Sequence, residues 1–235
     1  MGKTFFLLLA VVLALPARAA GTVAVDVGHT LAQPGARSAR GRDEFAFNRE
    51  LAAQVARALA EDGMTVRPIN PDGRIDSLGA RADAAVGSDL LLSVHHDSVE
   101  PRYLKFWAWG GQELSYTDAK RGFGLFVSRR NPDLSASLAC ASAIGAGLRR
   151  AGFLPTLWHG RRHQPADAAN GVWYFDNLVV LHRAATPAVL FEAGVIKNRR
   201  EELQLADPER QSRMAAAVAM GIAGCLVVRE KSARE

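Results

Sequence analysis

Three residues whose types can do chemistry, His29, His95 and Glu192, each follow a short apolar run: Thr22-Val-Ala-Val-Asp-Val, Asp89-Leu-Leu-Leu-Ser-Val and Ala188-Val-Leu-Phe. Imidazole nitrogen and carboxylate oxygen are donors that zinc accepts, and a catalytic zinc keeps three protein ligands and one open position for water. A further carboxylate beside that water can take its proton and later pass it to a leaving amine. The residue types therefore point to metal-assisted hydrolysis. Glu44 is the candidate that completes a ligand set, and Asp43 beside it is a rival ligand that reads more simply as a helix cap. Neighbours leaving a strand point to opposite sides. His95 is thus the one expected to face a metal, and His96 is left to line the cleft or contact substrate. Asp26, two positions before Gly28, can hydrogen-bond a ligand imidazole from behind.

The elements that must hold these residues follow from hydrophobic period and punctuation. Branched apolar runs predict strands over 22–27, 64–69, 89–94, 122–128, 173–180 and 188–191. Phe47, Leu51, Val55 and Leu59 repeat every four residues and predict a helix over 44–61 with one apolar stripe. Further helices are expected over 77–86, 134–150 and 207–228, with a charged tail at 229–235. Strands alternating with helices predict a three-layer α/β/α sandwich with a mostly parallel or mixed central sheet. Ligands in such sheets bind beyond the carboxyl ends of the strands, where the three runs deliver their polar residues. The stretches 97–122 and 153–171 lack a clear period. His159 and His163, with Trp158, Arg161 and Arg162, read as a surface loop, and Trp107 and Trp109 alternate like a half-buried strand that packs on the core.

Lys3, the apolar run Phe5 to Leu15, Pro16 and Ala17-Arg18-Ala19 form a secretory signal peptide over 1–19, which leaves 20–235 as a single domain. The run is too short to span a membrane, and no later segment is expected to span one. Loss of Lys3 and Arg18 takes the formal charge from +5 to +3. A mildly basic exported protein suits an anionic polymer or membrane surface. Nucleic acid is a poor candidate, because export removes the partner and the arginine pairs are scattered. Cys140 and Cys225 both lie in helical stretches, and either one disulfide or two buried thiols fits them.

In order along the chain, Val25-Asp-Val-Gly-His29, Glu44-Phe-Ala-Phe-Asn48, Arg81-Ala-Asp-Ala-Ala, Leu91-Leu-Ser-Val-His95 and Pro187-Ala-Val-Leu-Phe-Glu192-Ala-Gly-Val-Ile-Lys-Asn198 resemble the motifs of the bacterial zinc-dependent N-acetylmuramoyl-L-alanine amidases. The chain departs from that pattern at Val27, where the family usually has Pro, and at Thr30, where Gly is frequent. The resemblance implies that His29, Glu44 and His95 bind one zinc ion and that Glu192 is general base and acid. It implies hydrolysis of the amide between N-acetylmuramic acid and the L-alanine of the stem peptide, by a periplasmic monomer acting on peptidoglycan. His96, Asp97, His182 and Asn198 become candidate substrate contacts. A zinc carboxypeptidase and a non-catalytic wall-binding module are the rival readings. The two irregular stretches are candidates to cover the cleft until an activator protein binds.

Overall fold

The computed structural model describes residues 21–156 and 158–232, so the leader read at 1–19 lies outside the described residues. In chain order the elements are β1 (Thr22–Val27), α1 (Glu44–Glu61), β2 (Thr65–Ile69), α2 (Leu78–Asp83), β3 (Leu90–Asp97), β4 (Lys105–Trp109), β5 (Gln112–Tyr116), β6 (Gly124–Val127), α3 (Leu134–Arg150), β7 (Pro165–Asp167), β8 (Val172–Tyr174), α4 (Val179–Arg183), β9 (Ala188–Val195), α5 (Glu201–Leu205) and α6 (Pro208–Ser232). Seven strands form one sheet in the order β2-β1-β3-β9-β6-β8-β7. The β2-β1-β3-β9 half is parallel, and β6 pairs with β9 antiparallel, so the sheet is mixed.

The expected three layers are present. One face of the sheet packs on α1, α3 and α6 through Val25, Leu92, Phe191, Leu51, Ile144 and Val218. The other packs on α2 and α4 through Ala24, Leu91, Leu190, Ala82 and Leu181. In α1 the four-residue stripe Phe47, Leu51, Val55, Leu59 is buried as its period requires. Ser77 caps α2 by accepting from the Ala80 N–H. Asp43 occupies the cap position of α1 without capping it. The first amides of the helix donate instead to Ala36 and Pro34 carbonyls, and the Asp43 carboxylate turns outward toward Arg37.

Several elements differ from the sequence reading. β3 and β9 run on through Asp97 and Val195, so His95 and Glu192 sit inside strands rather than past them. The strand expected over 173–180 stops at Tyr174, and Val179–Arg183 is a single helical turn. A four- or five-residue apolar run carries too little period to choose between the two, and burial of Val180 and Leu181 against α2 decides it. The irregular stretch after β3 contains a hairpin, β4–β5. Cys140 and Cys225 form a disulfide that ties α3 to α6, with a Cα separation of 5.0 Å. Contrary to the expectation that no later segment is long and apolar enough to span a membrane, α6 is, by length and composition, over Pro208–Arg229. Its apolar residues Met214, Val218, Ile222 and Leu226 are buried in the main core.

Candidate functional site

Three strands deliver the site. In the parallel register His95 of β3 is paired with Glu192 of β9, and Gly28 follows β1 directly alongside. Side chains on paired positions share a face, so His95 and Glu192 project on the same side of the sheet. Gly28 makes room for this arrangement, since a Cβ there would collide with the His95 imidazole. The chain then turns at His29, whose φ of 67° is left-handed and unusual for a residue with a side chain. Asn70 holds that turn, its side-chain amide donating to the carbonyls of Val27 and His29 at 2.9 and 2.7 Å. A strained backbone held by its surroundings is common at functional sites.

Glu44, at the start of α1, reaches over the sheet edge to meet both rings. Its Oε1 lies 2.9 Å from His29 Nε2 and 3.1 Å from His95 Nδ1. The three donor atoms, two ring nitrogens and one carboxylate oxygen, lie within 4.8 Å of one another. Gly35 leaves space for the group, because a Cβ there would stand 2.6 Å from Glu44 Oε2. Burial pushes the Glu44 carboxyl up, but hydrogen bonds to His29 and His95 and their charges outweigh it and hold it well below the usual carboxylate range. Two neutral-capable imidazoles and an ionised carboxylate are a donor set that fits zinc. Asn48, one turn along α1, supports them. Its amide donates to the Gly28 carbonyl at 3.1 Å and to Glu44 Oε1 at 3.3 Å.

Glu192 has a different environment. Its Oε2 is buried and has no hydrogen-bond partner among the described residues. Burial, then the negative charges of Asp97 and Glu44, push its carboxyl well above the ordinary value. It borders a cavity of about 420 Å³ that also touches Asp97, Phe126, His159, Phe175 and Leu178. A larger hollow of about 680 Å³ lies elsewhere, where α3, α5 and α6 come together, and contains none of the three cluster residues.

The remaining candidates fall in different places. Asp26 is fully buried, and both carboxylate oxygens are taken by Arg81, at 2.8 and 2.6 Å, with Ser93 Oγ at 2.6 Å. It therefore orients no imidazole; an arginine one layer below the site claims it first. His96 points to the opposite face from His95, packs on Phe47 and pairs its Nδ1 with Asn48 Oδ1 at 2.8 Å. Burial pushes it down to about 3, and at 1% exposure it cannot reach a substrate. Asn198 is consumed structurally, donating to the Lys120 carbonyl and accepting from the amides of Arg200 and Glu201. His182 lies on α4 and does not line the cavity beside Glu192. Asp97 does line it, with its Oδ2 3.0 Å from His159 Nε2.

Two features were not legible as site components. His159, read as part of a surface loop, is 4% exposed and stands beside Asp97. Trp107 and Trp109 do not pack on the core. Stacked on each other in the surface hairpin, they are faced by Arg40, 4.8 Å from the Trp109 ring, and Trp107 Nε1 donates to the Ala39 carbonyl. The hairpin thus braces the 28–43 loop that carries His29 into α1. Asn48 had a signal, lying one helical turn from Glu44 on the same face. His159 had none, because its partner is 62 positions away in an aperiodic stretch.

Residues 23–224 match the family model described as N-acetylmuramoyl-L-alanine amidase. A curated relative, the probable cell wall amidase LytH of Staphylococcus aureus, is 25% identical over 203 residues, which is 86% of this chain and 57% of that protein. The chain therefore spans little more than half the length of the curated relatives it matches. Among solved structures, the N-acetylmuramyl-L-alanine amidase Ami1 from Mycobacterium smegmatis aligns with a TM-score of 0.72 at 22% identity, covering 88% of this chain and 97% of that one. The catalytic domain of CwlV, an N-acetylmuramoyl-L-alanine amidase from Bacillus (Paenibacillus) polymyxa var. colistinus, aligns with a TM-score of 0.68 at 25% identity, covering 88% and 99%.

Proposed function

The chain belongs to the N-acetylmuramoyl-L-alanine amidase family, and from that membership we propose that it is a zinc-dependent hydrolase of peptidoglycan, cutting the amide between N-acetylmuramic acid and the L-alanine of the stem peptide. The observation that carries the reading is the convergence of His29, Glu44 and His95 beside Glu192, the strand partner of His95. His29, Glu44 and His95 would hold the ion, which supplies Lewis-acid polarisation of the scissile carbonyl and of the attacking water. Glu44, buried and ionised, contributes the one negative charge of the ligand set. Glu192, whose buried Oε2 meets no hydrogen-bond partner among the described residues, takes the proton of the water as it attacks. It returns that proton to the alanine nitrogen as the C–N bond breaks, so that one carboxyl serves as base and then as acid. Burial and the nearby negative charges raise the proton affinity of Glu192, which favours its keeping the water's proton until the amine departs.

The enzyme is read as an exported, periplasmic monomer. The Cys140–Cys225 disulfide supports an oxidising compartment. Burial of the apolar face of α6 against α1 and α3 supports its reading as a core helix rather than a span.

Metal content and turnover of a soluble muramoyl-peptide test the assignment together. Glu192→Gln should keep one zinc per chain and lose about 10²- to 10⁴-fold in kcat, the range of a general acid–base group. His95→Ala should lose the metal itself. Full activity in Glu192→Gln, or unchanged zinc in His95→Ala, would remove that residue from its role.

A further inference from the structure

Beside Glu192 the cleft has a wall that the hydrolytic reading does not use: the turn Trp158–Arg161 and the two residues after it. Gly124 of β6 is the antiparallel partner of Glu192, so a side chain at 124 would stand next to the Glu192 carboxylate on the same face. The space is filled from outside the sheet. A Cβ on Gly124 would meet His159 Cδ2 and Nε2 at 3.0 Å, which places the imidazole where that side chain would be. His159 is 4% exposed and is edged by Phe126, at 4.8 Å between ring centres, and by Trp173. Its Nε2 lies 3.0 Å from Asp97 Oδ2 at the end of β3, and Arg162 Nη1 lies 3.4 Å from Glu100 Oε1 just beyond it, so the turn faces this segment through two close charged contacts, neither with hydrogen-bond geometry. Gly160 allows the same turn to sit directly on Trp173, where a Cβ would approach the ring to 3.0 Å.

We propose that His159 is a positioning residue for Glu192: set within 3.0 Å of the Asp97 carboxylate and seated on Gly124, it holds the 158–163 turn as a wall of the cleft and covers Asp97. Glu192 is then left free to face the amide. The proposal rests on the reading of Glu192 as the proton carrier. Its physical basis is the cost of a buried carboxylate without a donor. Without the imidazole, Asp97 would have to be solvated by water entering beside Glu192, and the turn would lose that contact. A proton carrier in a wet, loosened wall is misplaced for its reaction, and misplacement by about 1 Å can cost about 10²-fold in rate.

The test compares wild type, His159→Ala, His159→Gln and Gly124→Ala, all zinc-loaded, on a soluble muramoyl-peptide. Wild type must first release the free alanine amine; if it does not, the hydrolase reading fails, and this proposal with it. Given an active wild type, His159→Ala should lose about 10- to 100-fold in kcat with KM changed less than about two-fold and zinc content unchanged. His159→Gln, whose amide can still donate to Asp97, should recover most of the loss. Gly124→Ala, which pushes the imidazole off its seat while keeping the histidine, should lower kcat as well; should His159→Ala fail to fold, the bulkier His159→Leu, which has no donor for Asp97, takes its place. An unchanged kcat in His159→Ala and Gly124→Ala would overturn the proposal. A rise in KM alone would make His159 a substrate contact instead. A rise in activity would make the turn a cover to be displaced by an activator.

Discussion

Asn48 shows how much a single side chain can hold at this site. It is fully buried, and it ties the strand end at Gly28 to the Glu44 carboxylate while its oxygen engages His96. A group that orients a metal ligand in this way commonly contributes 10- to 100-fold in metal affinity. Asn48→Ala should therefore weaken zinc binding by about that factor in a chelator competition, with Glu192 and its cavity intact. Unchanged affinity would mean that the two imidazoles and the Ala36 amide, which donates to Glu44 Oε2 at 3.0 Å, hold Glu44 without it. At this scale residue type was readable and direction was not. The adjacency of His95 and His96 said that they part company, and the structure adds that His96 goes under α1 rather than into the cleft. The carboxylate of Asp26 was read for an imidazole and is held by Arg81, because pairing between distant buried charges leaves no periodic trace.

Among the elements, α1, β1, β3 and β9 position the chemistry, and α3 and α6 hold the layer behind them. The disulfide between α3 and α6 closes a sequence separation of 85 residues. Cross-links of this kind typically contribute about 2–4 kcal/mol by restricting the unfolded chain. The double variant Cys140→Ser/Cys225→Ser should melt about 5–15 °C lower, measured by calorimetry, while keeping its metal and its turnover. An unchanged melting temperature would show that packing of α6 alone fixes that layer. The helices α1 and α3 match their expected bounds, whereas α6 runs on to Ser232, four residues into the stretch expected as a charged tail, because charged residues in a last helical turn carry no apolar period. The β4–β5 hairpin was not, since its outward Phe106 and its arginine-faced tryptophans break the usual alternation of core and solvent. The strand expected over 173–180 overlaps α4 at Val179 and Val180, because the branched and apolar residues 178–181 satisfy either period.

The described residues form a mixed sheet between two helical layers, and the proposed site lies toward the carboxyl ends of β1, β3 and β9, where such sheets place their sites. The three-layer architecture followed from strand–helix alternation, and the family from five ordered motifs that span nearly all of the described chain. The wall beside Glu192 did not, because it is built from an aperiodic segment whose place is set by two glycine contacts and one ion pair. At this scale the proposed function requires the cluster, Glu192 and the cleft to act together on one particular bond in the cell wall. Digestion of purified peptidoglycan with and without a chelator, read by mass spectrometry, tests it most directly. The account predicts release of intact stem peptides carrying a free L-alanine amine, abolished by the chelator and restored by zinc. Release of a terminal residue alone, or no release by the zinc-loaded protein, would contradict it.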